Sequence, residues 1–160
     1  MTELLEALHS GNDGRVAELL AADPELNLFE ASALGRTERV RELVEDDPES
    51  ANAYGDDGFQ PLGLACFYGH LDAAKVLLDH GADPNTLSRN PYVKTNALHA
   101  AVASENKGPE TRYELAELLL GRGADPNLRQ GTSDFRPIDA ARQDGDERLE
   151  RLLKERGAKD

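Results

Sequence analysis

A chain of 160 residues with 39% hydrophobic and 31% charged residues suits one soluble domain that buries about two-thirds of its unfolded surface. Its formal charge of −13 argues against a phosphate-backbone partner, which needs a basic face, so no nucleic acid is expected. No apolar run approaches the roughly 20 residues of a membrane span, and a single cysteine, Cys66, excludes a disulfide framework or a multi-cysteine zinc site.

The N-terminal stretch carries Glu3 and Glu6 where a secretion signal would carry bases, so a cytoplasmic protein is expected. Leu4, Leu5 and Leu8, then Val16, Leu19 and Leu20, fall at helical spacing and predict two short helices. Asp23-Pro24 stops the second, because proline cannot continue a helix. The scheme repeats with Val40, Leu43 and Val44 and ends at Asp47-Pro48. Residues 58–85 are more regular: a turn, a helix opened by Pro61, a break at Gly69-His70, a longer helix, then Gly81 as a left-handed stop. Cys66 lies among small apolar residues and reads as a core filler.

That third stretch resembles the ankyrin repeat, a unit of about 33 residues built from a β-turn and two helices. Gly58, Pro61, Leu62, Ala65, Gly69, His70, Leu77, Leu78, Gly81, Ala82, Asp83 and Asn85 carry the likeness. Gln60 departs from it, standing where the family's threonine caps the first helix. Aligned on the glycine between the helices, Gly11, Gly35, Gly69, Thr111 and Gly145 are 24, 34, 42 and 34 residues apart. The short spacing predicts that the finger between the first two units is missing. The long one places two insertions in the fourth unit: a finger about three residues longer between Asn85 and Ala97, and six residues between the helices, assigned to a turn-rich loop over Glu105–Glu110. The fifth unit has Pro137, Ile138, Ala140 and Ala141, then a helix apolar only at Leu149, Leu152 and Leu153, as a terminal cap requires. The expected fold is an all-α ankyrin-repeat solenoid with short β-hairpin fingers. It forms a single domain in units of about 1–26, 27–51, 52–84, 85–126 and 127–160.

Sequence chemistry points away from catalysis, with neither a phosphate loop, an HExxH nor a G-x-S-x-G elbow, so no enzyme, metal or cofactor is expected. The resemblance places His70 and His99 in slots where histidine hydrogen-bonds between repeats, and the pairs Asp46-Asp47 and Asp56-Asp57 read as helix-stop and turn residues. The resemblance also implies a protein partner bound on a concave face made by the fingers and the first helix of each unit. Carried over by position, the fingers contribute Asp56, Asp57, Phe59, Tyr92, Val93, Lys94, Thr95, Thr132, Ser133, Phe135 and Arg136. The first helices contribute Ala33, Leu34, Phe67, Tyr68, Ala103, Ser104, Gln143 and Asp144. Of these, Asp56, Asp57, Phe59, Phe67, Tyr68, Tyr92, Lys94, Phe135 and Arg136 are the candidate binding residues, because aromatics and arginine dominate interface hot spots.

Residues 1–80 hold 17 acids against 5 bases, and residues 81–160 hold 14 against 13. This asymmetry admits a second account, an acidic immunity- or antitoxin-like inhibitor that neutralises a basic partner. Thirteen arginines against five lysines lean towards a bacterial-type repeat protein, and polar helices at both ends favour a monomer.

Overall fold

Helices dominate because each unit pairs two short apolar stripes that can be buried only against neighbouring units. The computed structural model describes residues 1–103, 105–131 and 133–160; Ser104 and Thr132, expected at the groove, lie outside them. Among the described residues ten α-helices follow in pairs: α1 (Glu3–His9) with α2 (Asp13–Ala21), and α3 (Leu28–Leu34) with α4 (Thr37–Asp46). The remaining pairs are α5 (Pro61–Phe67) with α6 (Leu71–Asp79), α7 (Ala97–Val102) with α8 (Pro109–Gly121), and α9 (Pro137–Gln143) with α10 (Glu147–Glu155). The first helices α1, α3, α5, α7 and α9 pack on one another in sequence, and α4, α6, α8 and α10 form a second row. One core runs between the rows, with Val40, Leu77, Leu98, Leu115, Leu119, Ile138 and Leu149 fully buried. Each such leucine or isoleucine contributes about 2 kcal/mol of hydrophobic stabilisation. No described helix is long and apolar enough to cross a membrane.

Helix ends follow the sequence. Thr2, Asn12, Asn27, Asn96 and Asp146 accept a hydrogen bond from the backbone N–H three residues on, capping α1, α2, α3, α7 and α10. At α5 the Gln60 side chain makes no such cap and instead donates to Asn52 O at 3.0 Å. Val16, Leu19 and Leu20 of α2 are only half-buried, because α2 packs chiefly on α1 and does not join the second row of helices. The missing finger between units one and two is borne out: only six residues separate α2 from α3.

Two expectations are corrected. Among the described residues there is no strand; the fingers are hydrogen-bonded turns, with Gly55 N donating to Phe59 O at 2.8 Å and Ser88 N to Thr95 O at 2.8 Å. Single backbone bonds join successive fingers, Arg89 N to Gly58 O at 2.8 Å and Gly131 N to Lys94 O at 3.1 Å. The insertion is not all loop either. Pro109 occupies the first helical position of α8 with Glu110 behind it, so α8 runs to 13 residues against 9 for α6, and Thr111 lies inside it. A proline at that position loses no intrahelical bond and arrives with a helical φ.

Repeats are coupled by polar bridges as well as by the core. Asn52 donates to Gly81 O at 2.8 Å and accepts from Asp83 N at 2.8 Å; Asn85 does the same to Gly123 and Asp125, and Asn127 to Gly157 and Lys159. Each asparagine, at the join with the preceding unit, thus satisfies the carbonyl left open where the second helix that follows it ends.

His70 Nε2 donates to Ala33 O of the preceding unit at 2.9 Å, and His99 Nε2 donates to Phe135 O of the following one at 3.0 Å. Burial holds both imidazoles below the ordinary histidine value of 6.5, because the charged ring is disfavoured there. The unfolded chain therefore takes up protons first, so stability is full above that value and falls as pH drops through it. Urea midpoints are expected to decrease between about pH 7 and about pH 5.5, and His99→Gln should flatten the slope. A midpoint equally pH-dependent in wild type and variant would contradict this assignment.

Candidate protein-binding groove

Between the third and fourth units the first helices and fingers enclose a cavity of about 400 Å³. Its floor is Leu62, Gly63 and Leu64 of α5 with Ala97 and Ala100 of α7. Small residues on α7 let the finger stand away from the helix and leave that space open. Phe59 and Phe67 form one side, and Val93 and Thr95 of the fourth finger form the other. A second cavity of about 220 Å³, lined by Gln130, Phe135, Ala140 and Gln143, shares His99, Ala103, Glu105 and Gln130 with the first. The two make one groove running from the third unit into the fifth.

The fourth finger is held by its own polar side chains. Ser88 Oγ donates to Val93 O at 2.6 Å and accepts from Thr95 N at 3.1 Å, and Asn90 Oδ1 accepts from the N–H groups of Tyr92 and Val93. Asn90 Nδ2 reaches the third finger, donating to Asp57 O at 2.8 Å. With its backbone satisfied in this way the finger presents Tyr92 and Val93 outward, 89% and 49% exposed.

The nine candidate residues do not share one surface. Phe59 and Phe67 line the larger cavity and Phe135 the smaller. Tyr68 lies beside Phe67, edge to face at 5.1 Å, but outside the cavity wall. Its hydroxyl donates to His9 Nδ1 at 2.6 Å, and burial together with the Asp57 charge pushes it up to about 12. Asp57 is corrected from an open finger carboxylate to a structural one: 6% exposed, it accepts from His9 Nε2 at 3.2 Å and from Phe59 N at 3.0 Å. Asp56 is exposed and lies 3.1 Å from the amino-terminal nitrogen. Tyr92 stands at the finger tip, away from both cavities. Lys94 lays its methylenes along Gly131. Arg136 is likewise corrected, its guanidinium being occupied by Asp139 and by Lys159 O at 2.8 Å. Among the first-helix positions, Ala33 is buried against Leu5 and Leu64, and Leu34 lines neither cavity, whereas Gln143 and Asp144 reach the smaller one.

Other groove residues were not singled out by sequence. His9 forms one end of the larger cavity because the absent finger brings α1 directly beside the third one. The 24-residue spacing was the available signal for this. Lys107, in the inserted loop, donates to Phe67 O at 3.0 Å and to Glu105 O at 3.3 Å, and burial lowers its ammonium to about 8. Its side chain packs against Gly69, so the insertion is anchored to the preceding unit and places Glu105 at the junction of the two cavities. Cys66 lies fully buried beneath, its thiol pushed up to about 12 by that burial.

Comparison with known proteins gives a consistent result. The family model described as ankyrin repeats (3 copies) matches residues 2–88 and 28–130. A rat relative, "Ankyrin repeat and SAM domain-containing protein 6", is 30% identical over 64% of this chain, and the match takes in 11% of that protein. The fruit-fly "Transient receptor potential channel pyrexia" is 32% identical over 69% of this chain and 14% of its own length. The opossum (Monodelphis domestica) "Cyclin-dependent kinase inhibitor 2A" is 32% identical over 80% of this chain and 68% of its own. The chain spans about a tenth of the length of the first of these relatives, but most of the last.

Proposed function

The chain belongs to the ankyrin repeat family, and on that premise we propose that it is a non-catalytic scaffold that binds a segment of a partner protein along its fingers and first helices. Repeats of this family generally mediate protein–protein interaction. The observation that carries the reading is the groove: Phe59, Phe67 and Val93 face its larger, apolar cavity, Phe135 the smaller and more polar one, and no side chain of the described residues fills either. Aromatic side chains at the wall of a concavity are the usual anchors of an interface. Tyr92 and Val93 on a finger braced by its own hydrogen bonds supply contact area at low ordering cost. That one relative is by name an inhibitor of a kinase fits a role exerted on another protein. The binding residues of this reading are Phe59, Phe67, Val93 and Phe135 in the groove, with Asp56, Tyr92 and Lys94 on the fingers outside it. Tyr68, Asp57 and Arg136 hold the frame. The scaffold acts as a monomer in the cytoplasm.

A photo-crosslinking residue placed at Val93 is expected to trap a discrete protein from a native lysate, whereas the same residue at Glu117 on α8 should not. Tyr92→Ala should lower the yield at position 93 several-fold while leaving the melting temperature within about 1 °C, because an exposed finger tip contributes little to folding. Equal trapping at positions 93 and 117 would remove the groove as the binding face.

A further inference from the structure

Resting on that reading of the groove, we propose that its occupant is a cationic segment: an apolar side chain seated in the larger cavity, with a lysine or arginine beside it. Apolar walls of Phe59, Phe67, Leu62 and Val93 around about 400 Å³ suit one or two large apolar side chains. Charge then selects what flanks them. Besides His9, the titratable residues lining this cavity are Asp83, Glu105 and His99, and neither lysine nor arginine lines it. Neither carboxylate takes part in an ion pair among the described residues; Asp83 Oδ1 accepts from Asn85 N at 2.9 Å, and Glu105 meets the Lys107 charge only at longer range.

The cations nearest the groove are already committed. Lys107 is drawn onto the carbonyls of Phe67 and Glu105, Arg89 sits 3.9 Å over the Tyr54 ring, and Arg129 pairs with Asp134, while the exposed Lys94 lines neither cavity and lays only its methylenes along Gly131. His9 donates to Asp57 and so does not reach the free carboxylates. His99 is neutral in the wall, its Nε2 spent on Phe135 O.

Two carboxylates outside any ion pair at the lip of an apolar concavity favour a cation there, modestly because both remain exposed to water. The faces of Phe59 and Phe67 add attraction of the same sign. A neutral or acidic segment covering Asp83 and Glu105 would strip them of water without replacing it. The 17 acids against 5 bases of residues 1–80 extend the attraction to longer range.

Two fragments of one shape test the choice. 4-Phenylbutylammonium and 4-phenylbutyrate are titrated separately into isotope-labelled protein while the methyl signals of Val93, Ala97 and Ala100 are followed. The ammonium is expected to bind roughly two- to fivefold more tightly than the carboxylate, a preference that shrinks in about 0.5 M salt. Asp83→Asn with Glu105→Gln, both exposed and outside any helix, should abolish the preference without lowering the melting temperature. Equal binding of the two fragments, or a preference that survives the double variant, overturns the cationic occupant and leaves the scaffold reading standing. Binding of neither fragment at these methyls overturns the cavity as a docking point as well, and crosslinking at position 93 then decides the scaffold reading alone.

Discussion

Replacing Arg112 with alanine is expected to lower the melting temperature by roughly 10 °C and to release the fifth unit before the rest of the stack. Arg112 lies in the extra first turn of α8 and is only 5% exposed. Its Nε donates to Val102 O at 2.8 Å and its Nη2 to Asp144 Oδ2 at 2.8 Å, while Nη1 lies 3.8 Å from Asp146 Oδ2. One guanidinium therefore joins the end of α7, the end of α9 and the start of α10. Asp146 Oδ2 is buried with no hydrogen-bond partner, so Arg112 is the charge that compensates it. Removing one partner of a buried ion pair costs about 3–5 kcal/mol, because the other is left uncompensated. In a stack whose units contact only their neighbours, that loss falls on the interface between units four and five. Hydrogen exchange should show α9 and α10 losing protection while α5 and α6 keep theirs. Arg112→Lys should recover only part of the loss, since an ammonium cannot serve three directions in one plane. Uniform loss of protection across all units would contradict this account.

Gly58→Ala is expected to cost about 2–4 kcal/mol and to abolish partner capture at position 93. Gly58 has φ +82°, in the left-handed region that side chains rarely adopt. A Cβ there would stand 2.4 Å from Asn90 N and 2.6 Å from Arg89 C. Those are backbone atoms of the next finger, which cannot rotate aside as a side chain would. The fourth finger would have to move away, breaking the Arg89 N to Gly58 O bond and shifting Val93 and Thr95 from the cavity wall. Gly121→Ala, at the end of α8, is the matching control, because nothing lies within 4 Å of its Cβ position, it lines neither cavity, and alanine favours a helix by up to about 1 kcal/mol. Thermal melts and crosslinking yield from the two variants check the contrast. Wild-type yield from Gly58→Ala would show that finger spacing does not govern binding.

Much of the fold was legible because its signals are local. Pro61 and Pro137 open helices, and Gly69 and Gly81 take positive φ where the chain turns. The roles of His70 and His99 followed from their slots, and both bond to a neighbouring unit. The insertion was harder. Its length was readable from the spacing of 42, but not that Pro109 starts a helix there instead of continuing a loop. Site residues were legible in part. Phe59, Phe67 and Phe135 meet the groove, whereas Arg136 finds Asp139 three residues away and Asp57 finds His9 48 residues away.

The sequence by itself determined the repeat, its period and its breaks, since proline, glycine and the spacing of leucines act within a few residues of themselves. Which charges remain free was decided only by the tertiary structure. Asp57, Arg112 and Lys107 are spent on partners that the stacking of units brings to them, while Asp83 and Glu105 are left at the lip of the groove. The reason is range: a helix start depends on its own residues, but an ion pair depends on where distant parts of the chain come to rest.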